Sequence, residues 1–345
     1  MYEGWHAPSP STTPWDGVDE SSLTPAQRLT MGWQGEQYER LHQQGGEAEA
    51  MFFNAFERSA CPRCGSERIV MFGYDRQGVR RWRCNGCGRT FTPATKTIFE
   101  DRKLPVQGWI EFLLALMSSE SLSGIARRDR RSPTTPSYQL AKLLCALDGI
   151  QDAVVLAGRA RIDEMSYPVP ASQKDPALKG RRAGSFSKSN TCIAVAREER
   201  DGGLSTLRVS GQGKPSGERA CNAHCPNLAL GLALVHDKGN AHSAVIRKLN
   251  LVSEAYDARI IKKLPDRENP LWKVNRLCLL SRPFLNAHTG FNRSNFAGWL
   301  NLFSLMMNPP EDRLQKAALA LDRAMAFPNT LRRRDYYQQD PSPDK

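Results

Sequence analysis

The chain has 345 residues, of which 40% are apolar and 24% charged, a composition typical of a folded protein with two or three domains and not of a disordered one. Lysine and arginine total 48 against 36 aspartate and glutamate, so we expect a polyanion such as nucleic acid as the partner. No apolar run is long enough to cross a bilayer and the start lacks a secretory pattern, so we expect a cytoplasmic protein with no membrane partner.

The predicted elements divide the chain into segments of different character. Proline-rich and polar ends predict disordered tails, and a stretch rich in Pro, Lys, Arg and Gly over 168–189 predicts a linker. We predict a disordered tail over 1–24, short helices over 25–58, a cysteine-rich ribbon over 59–99, a helical module over 100–152, a large domain over 153–337 and a second disordered tail over 338–345.

The last large segment is predicted to have an α/β fold. Short apolar runs that favour strands come first, and helical spacing of apolar residues dominates from Ala241 onward. This order predicts a mixed sheet flanked by helices. The predicted strands are Ala160–Met165, Cys192–Arg197, Leu204–Ser210 and Leu232–His236.

Two cysteine pairs of the CxxC type stand early in the chain, at Cys61 and Cys64 and at Cys84 and Cys87. Each pair is followed by glycine, which tolerates the left-handed backbone of such a turn. The segment between the pairs is long enough for a hairpin, so four thiolates can meet in the tetrahedral shell that structural zinc prefers. A redox dithiol is the alternative, although it needs only one pair.

Basic and aromatic residues around the ribbon provide charge for phosphates and flat apolar surface, which favours DNA over a bare structural clip. The following segments Leu122–Asp129 and Thr135–Leu147 are typical of a helix-turn-helix, whose second helix enters the major groove. A generic helical linker with a solvated basic run is the alternative. The residues predicted to contact DNA are Arg76, Arg80, Arg81, Trp82, Arg83, Arg127, Arg128, Arg130 and Arg131.

Acidic residues at two predicted strands are candidates for a divalent metal site. Asp163 and Glu164 are neighbours on one strand, so they point to opposite faces of the sheet and only one can face a given site. Asp237 follows an apolar strand at its carboxyl end, a common place for ligand-binding groups in open sheets. Capping of a helix near Asn240 is the alternative role for Asp237.

A helical pattern further along supplies a third group. Asn275 and Arg282 are seven residues apart, so two helical turns place them on one face. Glu268 is an alternative third carboxylate, although Pro270 separates it from the helix. We expect Cys278 on this helix to be a packed thiol.

Four other side chains near the predicted strands have metal-binding chemistry. Cys221, His224 and Cys225 lie close in sequence but lack a fourth ligand nearby, so we do not expect a second metal there. His242 lies five residues past Asp237, and we expect it on the surface of a helix; approach to a bound phosphate is the alternative.

Taken in order, these motifs resemble bacterial insertion-sequence transposases that join an N-terminal zinc ribbon to a ribonuclease H-like core of the aspartate-aspartate-asparagine type. The resemblance covers roughly Ser59 to Tyr337. It departs from the family where 182–190 is loosely spaced and where Cys278 replaces a common histidine. The shared motifs are RTFTPATKTIF at 89–99, IDE at 162–164, HDKGNAH at 236–242, VNRLC at 274–278, HTGFNR at 288–293 and RRDY at 333–336.

The resemblance implies a role for each candidate residue. Asp163 and Asp237 are the metal-binding aspartates, Asn275 is the third ligand, and Arg282 is the basic residue that follows. Magnesium or manganese is then the catalytic cofactor beside the structural zinc.

The function implied is binding of double-stranded DNA at the terminal inverted repeats of the element, with strand cleavage and transfer to target DNA. A homo-oligomer associated with the nucleoid is expected, because two ends must be held together. The alternative is a zinc-ribbon DNA-binding protein that has lost catalysis, since asparagine stands where many such sites have an acid.

Overall fold

A computed structural model of the protein describes residues 19–31, 48–101, 104–168, 190–287 and 295–339 and has an α/β architecture. The strands are β1 (Ile69–Tyr74), β2 (Arg80–Cys84), β3 (Thr90–Phe91), β4 (Arg159–Tyr167), β5 (Thr191–Glu198), β6 (Ser205–Gln212), β7 (Ala233–His236) and β8 (Val252–Ala255). The helices are α1 (Pro25–Met31), α2 (48–54), α3 (Val106–Met117), α4 (Leu122–Arg128), α5 (Thr134–Ala146), α6 (Gly217–His224), α7 (His242–Leu249), α8 (Ala258–Ile261), α9 (Trp272–Ala287), α10 (Phe296–Met307), α11 (Arg313–Ala326) and α12 (Arg333–Gln339).

The chain forms two compact units, and their boundary differs from the predicted one. The first unit combines Met1–Leu147 with Pro310–Lys345, and the second is Asp148–Pro309. The predicted domain over 153–337 therefore loses its last segment to the first unit, where α11 packs against α1, α3 and α5. Residues 1–18, most of the predicted linker (169–189) and 340–345 lie outside the described residues.

Residues 19–24 differ from the predicted disordered tail. Glu20–Ser22 form a turn of 3-10 helix, and Leu23 is buried. The hydroxyl of Thr24 donates to the carboxylate of Asp322 on α11 at 2.5 Å. The segment is ordered because Leu23 is buried and the hydroxyl of Thr24 is hydrogen-bonded within the first unit.

In the first unit, β1, β2 and β3 form an antiparallel sheet in that order. Trp82 lies opposite Phe91, and the two rings stack with centroids 5.7 Å apart. These rings pack with Cys61 and Cys84 into a small core. The predicted hairpin between the cysteine pairs is confirmed.

Helices α4 and α5 match the predicted helix-turn-helix pair closely in sequence range. Ser121 caps α4, because its hydroxyl accepts the backbone N–H of Gly124 at 3.1 Å. Pro136 lies in the first turn of α5, where a helix does not need the N–H that proline lacks.

In the second unit, five strands form a mixed sheet with the order β6-β5-β4-β7-β8. β5 is antiparallel to both β4 and β6, whereas β7 is parallel to both β4 and β8. The four predicted strands are confirmed with small shifts of their ends. The prediction missed β8, because this short edge strand is largely exposed and carries no apolar alternation.

Helices cover the two faces of β4. On one face, Ile162 packs in a core with Ala220 of α6, Leu234 of β7 and Val245 of α7. On the other, the hydroxyl of Ser281 in α9 contacts the sulfur of Met165. Because successive strand residues alternate between faces, odd-numbered residues of β4 face α9 and even-numbered ones face α6 and α7.

Among the residues that the structure describes, no helix combines the length and the apolar character needed to cross a membrane.

Candidate functional site

The four ribbon cysteines come together as predicted. The sulfurs of Cys61 and Cys87 are 3.8 Å apart, and those of Cys64 and Cys84 are 3.6 Å apart. All four sulfurs lie within 4.8 Å of one another. A tetrahedral metal with sulfur bonds of about 2.3 Å requires sulfur–sulfur edges of about 3.8 Å. The cluster therefore fits a metal ion such as zinc.

The two cysteine turns have matching backbone geometry, which explains the glycine after each pair. Gly65 and Gly88 have φ angles of 73° and 72°, in the left-handed region that favours glycine. Their N–H groups donate to the carbonyls of Cys61 and Cys84 at 2.9 and 2.8 Å. Each turn thereby aims two sulfurs toward one point.

Within the described residues, no further group of three or more histidine, cysteine or acidic side chains is close enough to hold a metal. Cys221, His224 and Cys225 lie at the end of α6 without forming such a group. The candidate magnesium site combines two acids with an asparagine, so it is not a group of this kind. The evidence for it comes from the strand register and the packing of α9.

The register of β4 and β7 brings the two predicted aspartates to the same level. Arg159 lies opposite Ala233 and Arg161 lies opposite Val235 in this parallel pair. The same offset places Asp163 level with Asp237, which follows directly after β7. The charge of Asp237 acts on the pKa of Asp163, as expected for neighbouring carboxylates.

Contacts on either side of Asp163 identify the part of α9 that faces it. The guanidinium of Arg161 donates to the carbonyl of Pro270, and the hydroxyl of Ser281 contacts Met165. From Arg161 to Met165 the strand rises by about 13 Å, and from Pro270 to Ser281 a helix rises by about 16 Å. Asp163 lies between these contacts on the strand and on the same face, so it faces the part of the chain between Pro270 and Ser281, which includes Asn275.

Cys278 supports this placement, because it lies one turn after Asn275 and one turn before Arg282. Burial, the largest cause, and the charge of Asp163 raise the pKa of Cys278 to about 12, while Arg282 acts in the opposite direction. Asn275, Cys278 and Arg282 thus form a stripe of α9 beside Asp163. Cys278 is half-buried and fits the predicted packed thiol.

The surroundings of Asp163 disfavour its charged form. Burial and the charges of Asp237 and Glu164 raise the pKa of Asp163 to about 7, outweighing a hydrogen bond from the N–H of Glu164. The charge of His242 acts in the opposite direction on Asp163 without restoring its ordinary pKa. Two neighbouring carboxylates of which one is held off its ordinary pKa are typical of a site for a cation.

The donor set also fits a hard cation. One oxygen of Asp163 accepts the N–H of Glu164 at 2.8 Å, and one oxygen of Asp237 accepts the N–H of Gly239 at 3.0 Å. The other carboxylate oxygens and the side chain of Asn275 receive no hydrogen bond from the described residues. Carboxylate and amide oxygens are the ligands that magnesium prefers.

The alternatives raised for Asp237 and Glu268 find no support in the contacts. Helix α7 begins after Ala241 and has no side-chain cap, so Asp237 is not a capping residue. Glu268 is exposed in a turn before α9.

Glu164 lies on the opposite face from the aspartates, where it contacts His242. The imidazole Nε2–H of His242 donates to both carboxylate oxygens of Glu164, at 2.9 and 3.0 Å. His242 has no exposed surface, so the predicted surface position is wrong. Sequence analysis missed this residue because α7 is too short for its periodicity to show a buried histidine.

Electrostatics differ between the two histidines near Glu164. Burial lowers the pKa of His242, but hydrogen bonding and charge from Glu164 outweigh it, so the pKa of His242 lies above its ordinary value. Burial lowers the pKa of His224 to about 4, and the charge of Glu164, whose oxygen lies 4.0 Å from its Nε2, does not offset it. His242 is thus the histidine that Glu164 holds.

A second candidate surface lies in the first unit, as a groove of about 720 Å³. It runs along the first turn of α5 and the chain segment before α12, and six of its lining residues are basic against two acidic ones. Arg131 and Arg332 are exposed there and form no ion pair with the described residues. The basic residues are Arg63, Arg131, Lys142, Arg332, Arg333 and Arg334.

The other predicted DNA-contact residues vary in exposure. Trp82 is only 8% exposed and stacks in the ribbon core, so it does not offer its ring to a ligand. Arg128 is engaged by Glu120 at 2.5 Å and Asp129 at 2.8 Å. The residues with exposed side chains are Arg76, Arg83, Arg127, Arg130 and Arg131, and those that are half-buried are Arg80 and Arg81.

One face of the ribbon combines exposed apolar and basic side chains. Val70 lies opposite Arg83, and both point away from the ribbon core. On the same face the guanidinium of Arg81 lies 5.4 Å from the ring centre of Phe72, which is 45% exposed. This face presents flat apolar surface with fixed positive charge.

Comparison with protein-family models, curated proteins and solved structures finds no match to this chain.

The cysteine cluster leads to a prediction about metal content. We expect the purified protein to carry about one zinc per chain, and Cys84→Ser to lose it together with the fold of the ribbon, because structural zinc contributes about 10 kcal/mol or more of binding free energy to folding. Metal analysis and thermal unfolding measure both effects. Cys225→Ser, outside the cluster, is the control and keeps the zinc. A wild-type protein without zinc, or a C84S protein with a full equivalent, contradicts the assignment.

Proposed function

We propose that the protein is a transposase of an insertion sequence, which binds the ends of the element and catalyses metal-dependent DNA strand cleavage and strand transfer. The observation that carries this proposal is the shared level of Asp163 and Asp237, supported by the charge of Asp163 acting on Cys278, one turn after Asn275 on α9. Two acids and one amide on neighbouring elements of the sheet and α9 suit phosphodiester chemistry with divalent ions.

The sheet topology supports a ribonuclease H-like core. Three antiparallel strands are continued by two parallel ones, and the central strand β4 carries the first acid. The second acid follows the parallel neighbour β7, and the third ligand lies on a helix packed against β4. This is the arrangement that the resemblance implies for such a core.

The residues of the proposed site have different chemical roles. Asp163, Asp237 and Asn275 would hold magnesium or manganese, which activates the attacking water and stabilises the leaving oxygen when bound. Asparagine adds an oxygen ligand without a third negative charge, so repulsion among the ligands is lower. Arg282, at the exposed end of this stripe, would bind a DNA phosphate.

The basic groove and the ribbon face support DNA binding by the first unit. Exposed guanidinium groups such as Arg131 and Arg332 offer charge to phosphates, and Thr134 and Thr135 at the start of α5 line the same groove. On the ribbon, Phe72 and Arg81 offer stacking and charge. A protein that joins two element ends acts as an oligomer on DNA, which we include in the proposal.

The catalytic assignment predicts the behaviour of an isosteric variant. With magnesium and duplex DNA that carries the element ends, we expect wild type to cleave and Asp163→Asn to lose about 10²- to 10⁴-fold in rate, because a metal ion contributes several kcal/mol to the transition state. Strand cleavage on gels measures this loss. Asp266→Asn, an exposed acid before α9, is the control and retains activity.

Two results would count against this assignment. Equal activity of D163N and wild type removes Asp163 from the site. A well-folded wild type that binds DNA without cleaving it favours the alternative, a zinc-ribbon DNA-binding protein that has lost catalysis.

The groove predicts a difference between two arginines of the helix-turn-helix pair. Arg131→Ala weakens DNA binding and reduces the slope of log affinity against log salt by about 0.9 if one phosphate contact is lost. Arg128→Ala is the matched control, because Glu120 and Asp129 already engage its guanidinium. Fluorescence anisotropy over a salt series measures both. Similar slopes for R131A and wild type, or an equal loss in R128A, contradict the proposed groove.

A further inference from the structure

The imidazole of His242 lies between two carboxylates of the second unit. Its Nε2–H donates to Glu164, and its Nδ1 is 3.4 Å from Oδ1 of Asp237. The second contact is at the long end of hydrogen-bonding distances and is not aligned as a hydrogen bond. Nδ1 makes no hydrogen bond with the described residues, and the Asp237 carboxylate is the charged group that lies against it.

The loop between Asp237 and His242 is shaped for this approach. The N–H of Gly239 donates to the same oxygen of Asp237 at 3.0 Å. A Cβ at Gly239 would lie 3.0 Å from that oxygen and 3.2 Å from Nδ1 of His242, tighter than ordinary contacts. Glycine therefore allows the carboxylate and the ring to come together.

The start of the loop is fixed as well. The N–H of Lys238 donates to Nδ1 of His236 at 3.2 Å, and Nε2 of His236 is hydrogen-bonded to the hydroxyl of Ser253 on β8 at 2.9 Å. Lys238 adopts a φ of 63°, which turns the chain sharply after Asp237. Buried contacts thus hold both ends of the segment that carries this aspartate.

We propose that His242 is a positioning residue for Asp237: Glu164 holds the ring, and the ring with the Gly239 N–H fixes one carboxylate oxygen so that the other is free for a cation. The inference rests on the proposed function, since it assigns how one ligand of that site is oriented.

The proposal gives a reason for Glu164 beside Asp163. The two acids point to opposite faces of β4, so Glu164 cannot share a ligand shell with Asp163 directly. Through His242 it reaches Asp237 from the other face instead. A carboxylate that holds a histidine behind a metal ligand restricts rotation of that ligand, and loss of such support costs about 10- to 100-fold in metal affinity or activity.

The test measures binding of Mn²⁺ by electron paramagnetic resonance in the full-length, zinc-loaded protein, together with the rate of strand cleavage. His242→Ala is expected to weaken Mn²⁺ binding and slow cleavage by about 10- to 100-fold. His242→Asn keeps a donor near the position of Nδ1 and is expected to recover part of both. Thermal unfolding of each variant reports the structural cost separately.

His224→Ala is the matched control. His224 is a buried histidine on the same face of the sheet, 1% exposed, and lies 4.0 Å from Glu164. It has no contact with Asp237 among the described residues, so its loss disturbs packing without releasing the aspartate. We expect H224A to bind Mn²⁺ as wild type does.

The outcomes separate this inference from the proposed function. Wild type with an Mn²⁺ site that depends on Asp163, combined with an unaffected H242A, overturns the positioning role alone. Equal losses in H242A and H224A, or no recovery in H242N at equal stability, overturn it as well. Absence of any Asp163-dependent Mn²⁺ site in wild type overturns the proposed function and the inference together.

Discussion

The parallel pairing of β4 with β7 is the constraint on which the candidate catalytic site depends. Its offset sets Asp163 beside Asp237, although 73 residues separate them in the sequence. A slip of one residue would turn the strand's acids to the other face, exchanging the positions of Asp163 and Glu164. The buried apolar residues of β4, such as Ile162, oppose that slip, because it would move them out of their core with α6 and α7 to the face that α9 covers. Core packing and site geometry are therefore fixed by the same register.

The two units present different kinds of side chain to a cation. In the first, four cysteine sulfurs at tetrahedral spacing fit an ion such as zinc, which binds thiolates well. A bound ion would stabilise the three-stranded sheet, which is too small to be held together by apolar burial alone. In the second, the carboxylates of Asp163, on one interior strand, and of Asp237, directly after another, are oxygen donors of the kind that a hard ion prefers. Positive charge accompanies both: the basic groove in the first unit and Arg282 in the second. We base the proposal of a DNA-processing enzyme on these features together.

Local signals made part of this structure predictable. The CxxC spacing and its glycines were sufficient to predict the cysteine cluster, because each turn positions its two sulfurs by itself. Apolar runs predicted four strands of the mixed sheet, but β8 is polar and exposed and shows no such run. The burial of His242, the placement of Trp82 in the ribbon core and the return of α11 to the first unit all depend on contacts between distant segments. Sequence spacing carries no information on which distant segments meet, so these features emerged only from the three-dimensional packing.

Crystallographic location of manganese tests the central claim most directly. In a crystal of the protein soaked with Mn²⁺, anomalous scattering shows the ion's position independently of any assumption about the reaction. The account predicts a peak within ligand distance of a free oxygen of Asp163 and a free oxygen of Asp237, with Asn275 as the next nearest ligand. Absence of a peak between these side chains at saturating Mn²⁺, or a peak on the Glu164 face of β4 instead, would contradict it.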